Sequence, residues 1–223
     1  MAVLPASLRT LVTALEAIRS PDRTALLNLV RTAAVRAADL EPWADYNHPA
    51  ADSYGRRLVK HGGHYEVMVM TWLPGDVSAI HDHGGAEWGA VQCFGQALHD
   101  TFRLSALRLH ALESLPYQPG DLAFVDPTLI HQMGNQGSQP FLSLHVYGCR
   151  QARPLITTQA RVFDLDLGEI QYTDGGVFHA LPDDRILKRR GGLRAPADLL
   201  VRQRALKRAR QERMVSLPVP MAV

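Results

Sequence analysis

Apolar residues recur with two different periods along the 223-residue chain, and the change of period divides it. Near the start, Leu8, Leu11, Val12, Leu15 and Ile18 fall at three- and four-residue intervals, the spacing of one helical face. Ser20 followed by Pro21 predicts an N-cap and first-turn proline for a second helix through Leu26, Leu27, Val30 and Ala34. A linker around Glu41, Pro42 and Trp43 closes the pair. From about Tyr54 short runs take over: YEVMVMTW, GAVQCFG, DLAFVD and PFLSLHVYG, separated by turn-forming LPGD, QPGD and GNQGSQP. This texture predicts a mainly β, antiparallel sandwich or barrel. After about Gly175 the strand signals stop, and ADLLVRQRALKRARQERM predicts a charged helix beginning near Pro196, ahead of a proline-containing tail expected to be mobile. The expected division is a helical segment, 1–45, packed on a β domain, 46–175, with a basic C-terminal extension, 176–223.

Composition narrows the class. With 46% apolar and 21% charged residues the chain is globular rather than disordered. No run reaches the roughly 18 to 20 apolar residues of a membrane span, and Arg9 and Glu16 interrupt the apolar stretch that a secretory signal needs. A cytoplasmic protein is the expectation. Cys93 and Cys149 are too few for a disulfide framework and need no role beyond packing. Residues 185–213 carry eleven Lys or Arg and two acids, so that segment is +9 and the remainder, given a net +2, is −7. Such a run lacks the interleaved aromatics of a nucleic-acid surface; a solvated helix face, or pairing with the acidic body, is the expected use.

The strongest chemical signal is Ile80-His81-Asp82-His83 after the turn at Gly75-Asp76. Alternate residues of an extended strand share a face, so both imidazoles can point inward while Asp82 points away, and two histidines can then share one metal. Downstream, Gly120 and Asp121 open a strand that leads past Pro127 to His131, with Asn135 four residues further. These positions resemble the two motifs of the cupin superfamily, G-x5-H-x-H-x3-4-E-x6-G and G-x5-P-x-G-x2-H-x3-N. Gly75, His81, His83 and Gly95 fit the first, and Gly120, His131 and Asn135 the second. Pro127 falls one place late, the inner glycine of the second motif is absent, and the acidic position is divided between Glu87 and Trp88. The resemblance implies a double-stranded β-helix, a jelly-roll barrel. Three neutral imidazoles without a carboxylate would leave the ion's charge and open positions for an anionic chelating substrate together with dioxygen. A ligating Glu87 would remove one such position; otherwise it is a solvated or salt-bridged loop residue.

Ser143, His145 and Tyr147 alternate in SLHVY, so the three polar groups share one strand face. On an inner face, each would cost about 1 to 3 kcal/mol to bury unless bonded to one another or to a ligand. With His145 fourteen residues beyond His131, this strand resembles the Ser-His-Tyr triad of the thiol dioxygenases, the cysteine dioxygenase group of cupins. Tyr54-Gly55-Arg56-Arg57-Leu58-Val59 is similar to that family's Y-x-R-x-L-V segment. The resemblance implies Fe(II) on His81, His83 and His131. It also implies Tyr147 beside substrate and oxygen, held by His145 and Ser143, and a substrate carboxylate on Arg56 with Tyr54 beside it. Where animal cysteine dioxygenases carry a cysteine that crosslinks to the tyrosine, this chain has Trp88, so no crosslink is expected. Gly148 and Cys149 replace Ser-Pro after the tyrosine. H-V-Y-G is similar to the bacterial 3-mercaptopropionate dioxygenases, which place an arginine after the tyrosine; Arg150 and Arg153 follow here at a different spacing. The expected activity is oxidation of a small thiol by O2, with L-cysteine as first substrate and 3-mercaptopropionate as the alternative. Two other readings stay open: a cupin metalloenzyme with Glu87 as fourth ligand, and a sensor or binding module.

Overall fold

The computed structural model describes residues 3–49 and 52–216. Two amphipathic helices come first, α1 (Ala6–Glu16) and α2 (Arg23–Ala33), then the short α3 (Ala37–Leu40) and a 3-10 turn at Glu41–Trp43. Asp22, not Ser20, caps α2: its carboxylate accepts from the Ala25 amide at 2.8 Å, which leaves Ser20 and Pro21 outside the helix. Eleven strands follow among the described residues: β1 (Gly55–His61), β2 (Tyr65–Trp72), β3 (Trp88–Cys93), β4 (Ala97–Ser105), β5 (Arg108–Tyr117), β6 (Leu122–Val125), β7 (Ile130–Gly134), β8 (Phe141–Gly148), β9 (Ala160–Asp164), β10 (Glu169–Thr173) and β11 (Ile186–Gly191). α4 (Ala197–Ser216) ends the described chain. The expected mobile tail, with Pro218 and Pro220, lies outside the described residues.

The strands form two facing layers, the jelly-roll barrel expected from the motifs. One layer is the antiparallel sheet β1-β2-β8-β3-β6. The other joins β5-β4-β7 to β9-β10-β11 through the short segment 77–81, where Val77 bridges Gly134 and His81 bridges both His131 and Val162. β11 lies beyond Gly175, where strand signals cease in the sequence. It is an edge strand, ILKRRG, with no buried residue, so it carries no apolar alternation to read.

Three apolar clusters hold the molecule together. α1 and α2 lay Leu8, Leu11, Leu15, Leu26 and Val30 against Val67, Val69, Leu142, Leu144 and Val146 on the outer face of the first sheet. Covering that face makes β2 and β8 buried along their whole length. A second cluster fills the barrel, and the third packs Leu193 and Leu199 against Ile80, Ile130 and Phe163 outside the other layer. Trp88 belongs to the helix side, where its indole N–H donates to the Arg19 carbonyl at 2.9 Å.

The basic extension pairs with the acidic body. Arg202 meets Asp100, Arg204 meets Asp166 at 2.8 Å, Lys207 meets Asp164 at 2.8 Å, and Arg213 meets Asp76 at 3.4 Å. Gln203 exchanges amide hydrogen bonds with the buried Gln132, the neighbour of His131. Deleting residues from 197 onward uncovers Leu199's pocket and breaks these contacts, an expected loss of about 3 to 5 kcal/mol. In a chain of this size that is a fall in melting temperature of roughly 10 °C by thermal denaturation; an unchanged melt would make α4 a passenger. Among the described residues no helix is long and apolar enough to cross a membrane.

Candidate metal centre

The turn before the first histidine pair requires a left-handed backbone at Gly75, φ +80°, and the turn before β6 requires one at Gly120, φ +97°, which accounts for the opening glycine of each motif. Past Gly75 the segment 77–81 is clamped on both sides. His81 and His131 exchange two backbone hydrogen bonds at 2.9 Å, and the Phe163 amide donates to the Ile80 carbonyl at 2.9 Å. The alternation then sends His81 and His83 inward. Asp82 turns the other way, where it pairs with Arg161 and accepts from the Arg161 amide at 2.8 Å.

His131, on β7, lies opposite His81, and the three imidazoles converge. Nε2 of His131 is 3.1 Å from that of His81 and 3.2 Å from that of His83. Nitrogens bound to one ion at about 2.1 Å and at right angles to each other would stand about 3 Å apart, so the spacing fits a metal. Protonation fits as well. Burial lowers His81 to about 4 and, together with the neighbouring rings, takes His83 and His131 well below the ordinary imidazole value. All three are therefore neutral near pH 7. His81 donates from Nδ1 to the Ala79 carbonyl at 2.8 Å, which leaves a bare lone pair on Nε2. Nδ1 of His83 is buried without a partner among the described residues. Within 4.8 Å of one another, these three donors form the one candidate metal cluster among the described residues.

Glu87 is elsewhere. Its carboxylate lies 3.6 Å from Arg150 and 3.7 Å from Arg153, and it is not among the converging donors. Arg153 also donates to the Gly85 carbonyl, so both arginines that follow the tyrosine are engaged at this rim.

The β8 residues Ser143, His145 and Tyr147 face the barrel interior, and all are buried. They are linked: Ser143 Oγ to His145 Nε2 at 2.8 Å, and His145 Nδ1 to Tyr147 Oη at 2.9 Å. The indole of Trp72, a donor only, adds a bond to Ser143 Oγ at 2.8 Å. In the tautomer in which Ser143 donates to His145 Nε2, His145 donates from Nδ1 to the phenol and the phenol hydrogen is left for the cavity. Burial lowers His145 to about 3 and pushes Tyr147 up, so the chain is neutral. The Tyr147 ring lies 5.0 Å from that of His83.

Arg56 and Tyr54 line the same cavity as the three histidines and Tyr147, with about 450 Å³ of empty space including its mouth. Tyr54 stacks on Trp72 at 4.8 Å. Arg57 pairs with Asp45, whereas among the described residues no carboxylate forms a salt bridge with Arg56. Met68, Met70, Met133 and Val177 supply the apolar walls. Seven of the eight candidate side chains thus line one cavity, and Ser143 is tied to it through its bond to His145. Sequence reasoning missed Trp72, His99 beside His131, and Thr157, whose buried hydroxyl lines the cavity without a partner among the described residues. No motif marks these three, although Trp72 sits one turn before the glycine of the first.

The family model described as cysteine dioxygenase type I matches residues 2–159. Among solved structures, a Klebsiella pneumoniae protein with a double-stranded β-helix domain is 18% identical, with 51% of this chain and 90% of that one covered and a TM-score of 0.39. A Thermus thermophilus protein is 22% identical over 49% and 93% of the two chains, TM-score 0.39. A Bacillus subtilis oxalate decarboxylase with Mn(II) centres is 17% identical over 52% and 30%, TM-score 0.41.

Proposed function

The chain belongs to the cysteine dioxygenase type I family, and on that premise we propose that it is an Fe(II) thiol dioxygenase converting L-cysteine and O2 to cysteine sulfinate. Both oxygen atoms pass to sulfur, so no further reductant is needed. The observation that carries this reading is that three neutral imidazoles and the hydrogen-bonded Ser143-His145-Tyr147 chain open onto one cavity with Arg56. We assign the chemistry to 46–175, with 1–45 and 176–223 as supports, and place it in the reducing cytoplasm, where free thiols persist.

In this proposal His81, His83 and His131 would hold the ion through Nε2. Bound ferrous iron supplies the electronic coupling between a thiolate and ground-state O2 that no side chain provides. Because the imidazoles bring no charge, the site favours the thiolate over the thiol. Arg56 forks onto the substrate carboxylate, and Tyr54, packed on Trp72, walls that end. Tyr147, held by His145 and Ser143, turns its hydrogen toward the oxygens being transferred. The methionine-lined walls limit water at the reacting sulfur. A centre held by these three neutral donors would suit a substrate able to chelate the ion, as cysteine could through sulfur and amine.

The test is oxygen uptake by the iron-loaded protein with cysteine, 3-mercaptopropionate and cysteamine. Cysteine should be fastest, 3-mercaptopropionate slower for want of an amine, and cysteamine, which lacks the carboxylate, slowest by tens of fold. Equal rates would remove Arg56 from the account, and 3-mercaptopropionate in the lead would reassign the substrate. Absence of uptake with every thiol would leave a binding protein instead of an enzyme.

A further inference from the structure

His99 lies in the middle strand of β5-β4-β7, between the β7 histidine and the last residue of β5. On β4 it is in register with Met133 on one side and Leu115 on the other, which sets His131 and Tyr117 diagonally beside it on the same face. Its Nε2 is 2.8 Å from His131 Nδ1, and its Nδ1 is 3.1 Å from the Tyr117 hydroxyl. The phenol ring stacks on the imidazole at 4.8 Å and 21°, and His99 is only 8% exposed. Both ring nitrogens are thus committed to named partners in a buried place.

An imidazole that binds a metal through Nε2 must carry its hydrogen on Nδ1, and in a buried site that hydrogen needs an acceptor. His81 has the Ala79 carbonyl, and His83 has no partner among the described residues. For His131 the acceptor is the lone pair of a second imidazole. His99 then holds its own hydrogen on Nδ1 and donates it to the Tyr117 oxygen. In the reverse arrangement His99 donates to His131, and the hydrogen on His131 Nε2 points at His81 and His83 and blocks an ion. The chain of two imidazoles and a phenol therefore has one state that admits metal and one that does not.

We propose that His99, backed by Tyr117, is a positioning residue for the metal: it accepts the Nδ1 hydrogen of His131 and so makes the ion-binding tautomer the satisfied one. The inference rests on the metal-site reading above and adds the residue pair that governs how tightly the ion is kept. His99 touches neither substrate nor ion.

Two variants similar in length separate acceptance of a hydrogen bond from mere filling of space. His99→Gln offers an amide oxygen to His131, and His99→Met does not. Titrated with Co(II), whose visible absorption reports coordination, His99→Met should bind about 10- to 100-fold more weakly than wild type with an altered spectrum. His99→Gln should recover to within a few fold and keep the wild-type spectrum. Tyr117→Phe, the smallest change in the chain, should weaken Co(II) binding by a few fold, and it decides the matter should the Met variant not fold. Equal affinities for the Gln and Met variants, or wild-type affinity in Tyr117→Phe where the Met variant does not fold, would overturn the role of His99 while leaving the metal centre in place. Wild-type protein that binds no Co(II) and no Fe(II) would overturn the metal centre itself.

Discussion

His83→Ala is expected to weaken binding of a divalent ion by more than about 100-fold and to abolish thiol oxidation, a larger loss than the roughly 10- to 100-fold that follows from disturbing a ligand's outer partner. His83 is the informative ligand to remove. His81 and His131 are also the paired residues of a backbone bridge, and His131 leans on His99, so changes there disturb the sheet as well as the site. His83 has no side-chain hydrogen bond at Nδ1 among the described residues. Metal content after dialysis, with circular dichroism to verify the fold, measures the effect; retention of a full equivalent of metal would remove His83 from the centre. Acid should reveal the same site. An imidazole must be neutral to bind, and its lowered value means that protons compete only near pH 4 for His81, rather than near 6.5 as in an exposed ring. Wild-type affinity should thus hardly change between pH 8 and about 5.

Arg56→Ala should lower kcat/KM for cysteine by roughly 30-fold to 1,000-fold, the cost of leaving one partner of a desolvated, hydrogen-bonded ion pair unmatched, about 2 to 4 kcal/mol. Metal content should not change, because Arg56 is outside the converging donors. The same variant should scarcely alter oxidation of cysteamine, which has no carboxylate to lose. That contrast separates a lost anchor from a damaged cavity: an equal fall for both thiols would make Arg56 structural. The guanidinium suits the task because, among the described residues, no protein carboxylate competes for it, unlike the neighbouring Arg57, which is held by Asp45.

The features legible in the sequence are those with a local period. His81 and His83 reveal a shared face two residues apart, and Ser143, His145 and Tyr147 do the same on β8, because alternation is a property of a single strand. The Ser143-to-Tyr147 chain follows from the cost of burying three polar groups together. Trp72 and His99 were not legible, since each reaches its partner across a sheet: Trp72 meets Ser143 71 residues away, and His99 meets His131 32 residues away. Composition alone could not resolve Glu87, whose place is set by Arg150 and Arg153, which follow β8, the strand paired with β3. β11 escaped because an exposed edge strand has no hidden side to pattern. The cap of α2 went to Asp22 because it is Asp22, not Ser20, that stands three residues before a free amide, at Ala25.

The segment that carries the first two histidines is bonded along both of its edges, to β7 on one side and β9 on the other. Its shape is set by this backbone pairing together with the bond of the Asp82 carboxylate to the Arg161 amide. Unlike a small zinc domain, which stays unfolded until its metal arrives, this vessel is finished beforehand, and loading it need order very little of the chain. A bound ion could then be withdrawn and restored without dismantling the protein, so supply of the ion, rather than synthesis of new polypeptide, would set how much working protein is available.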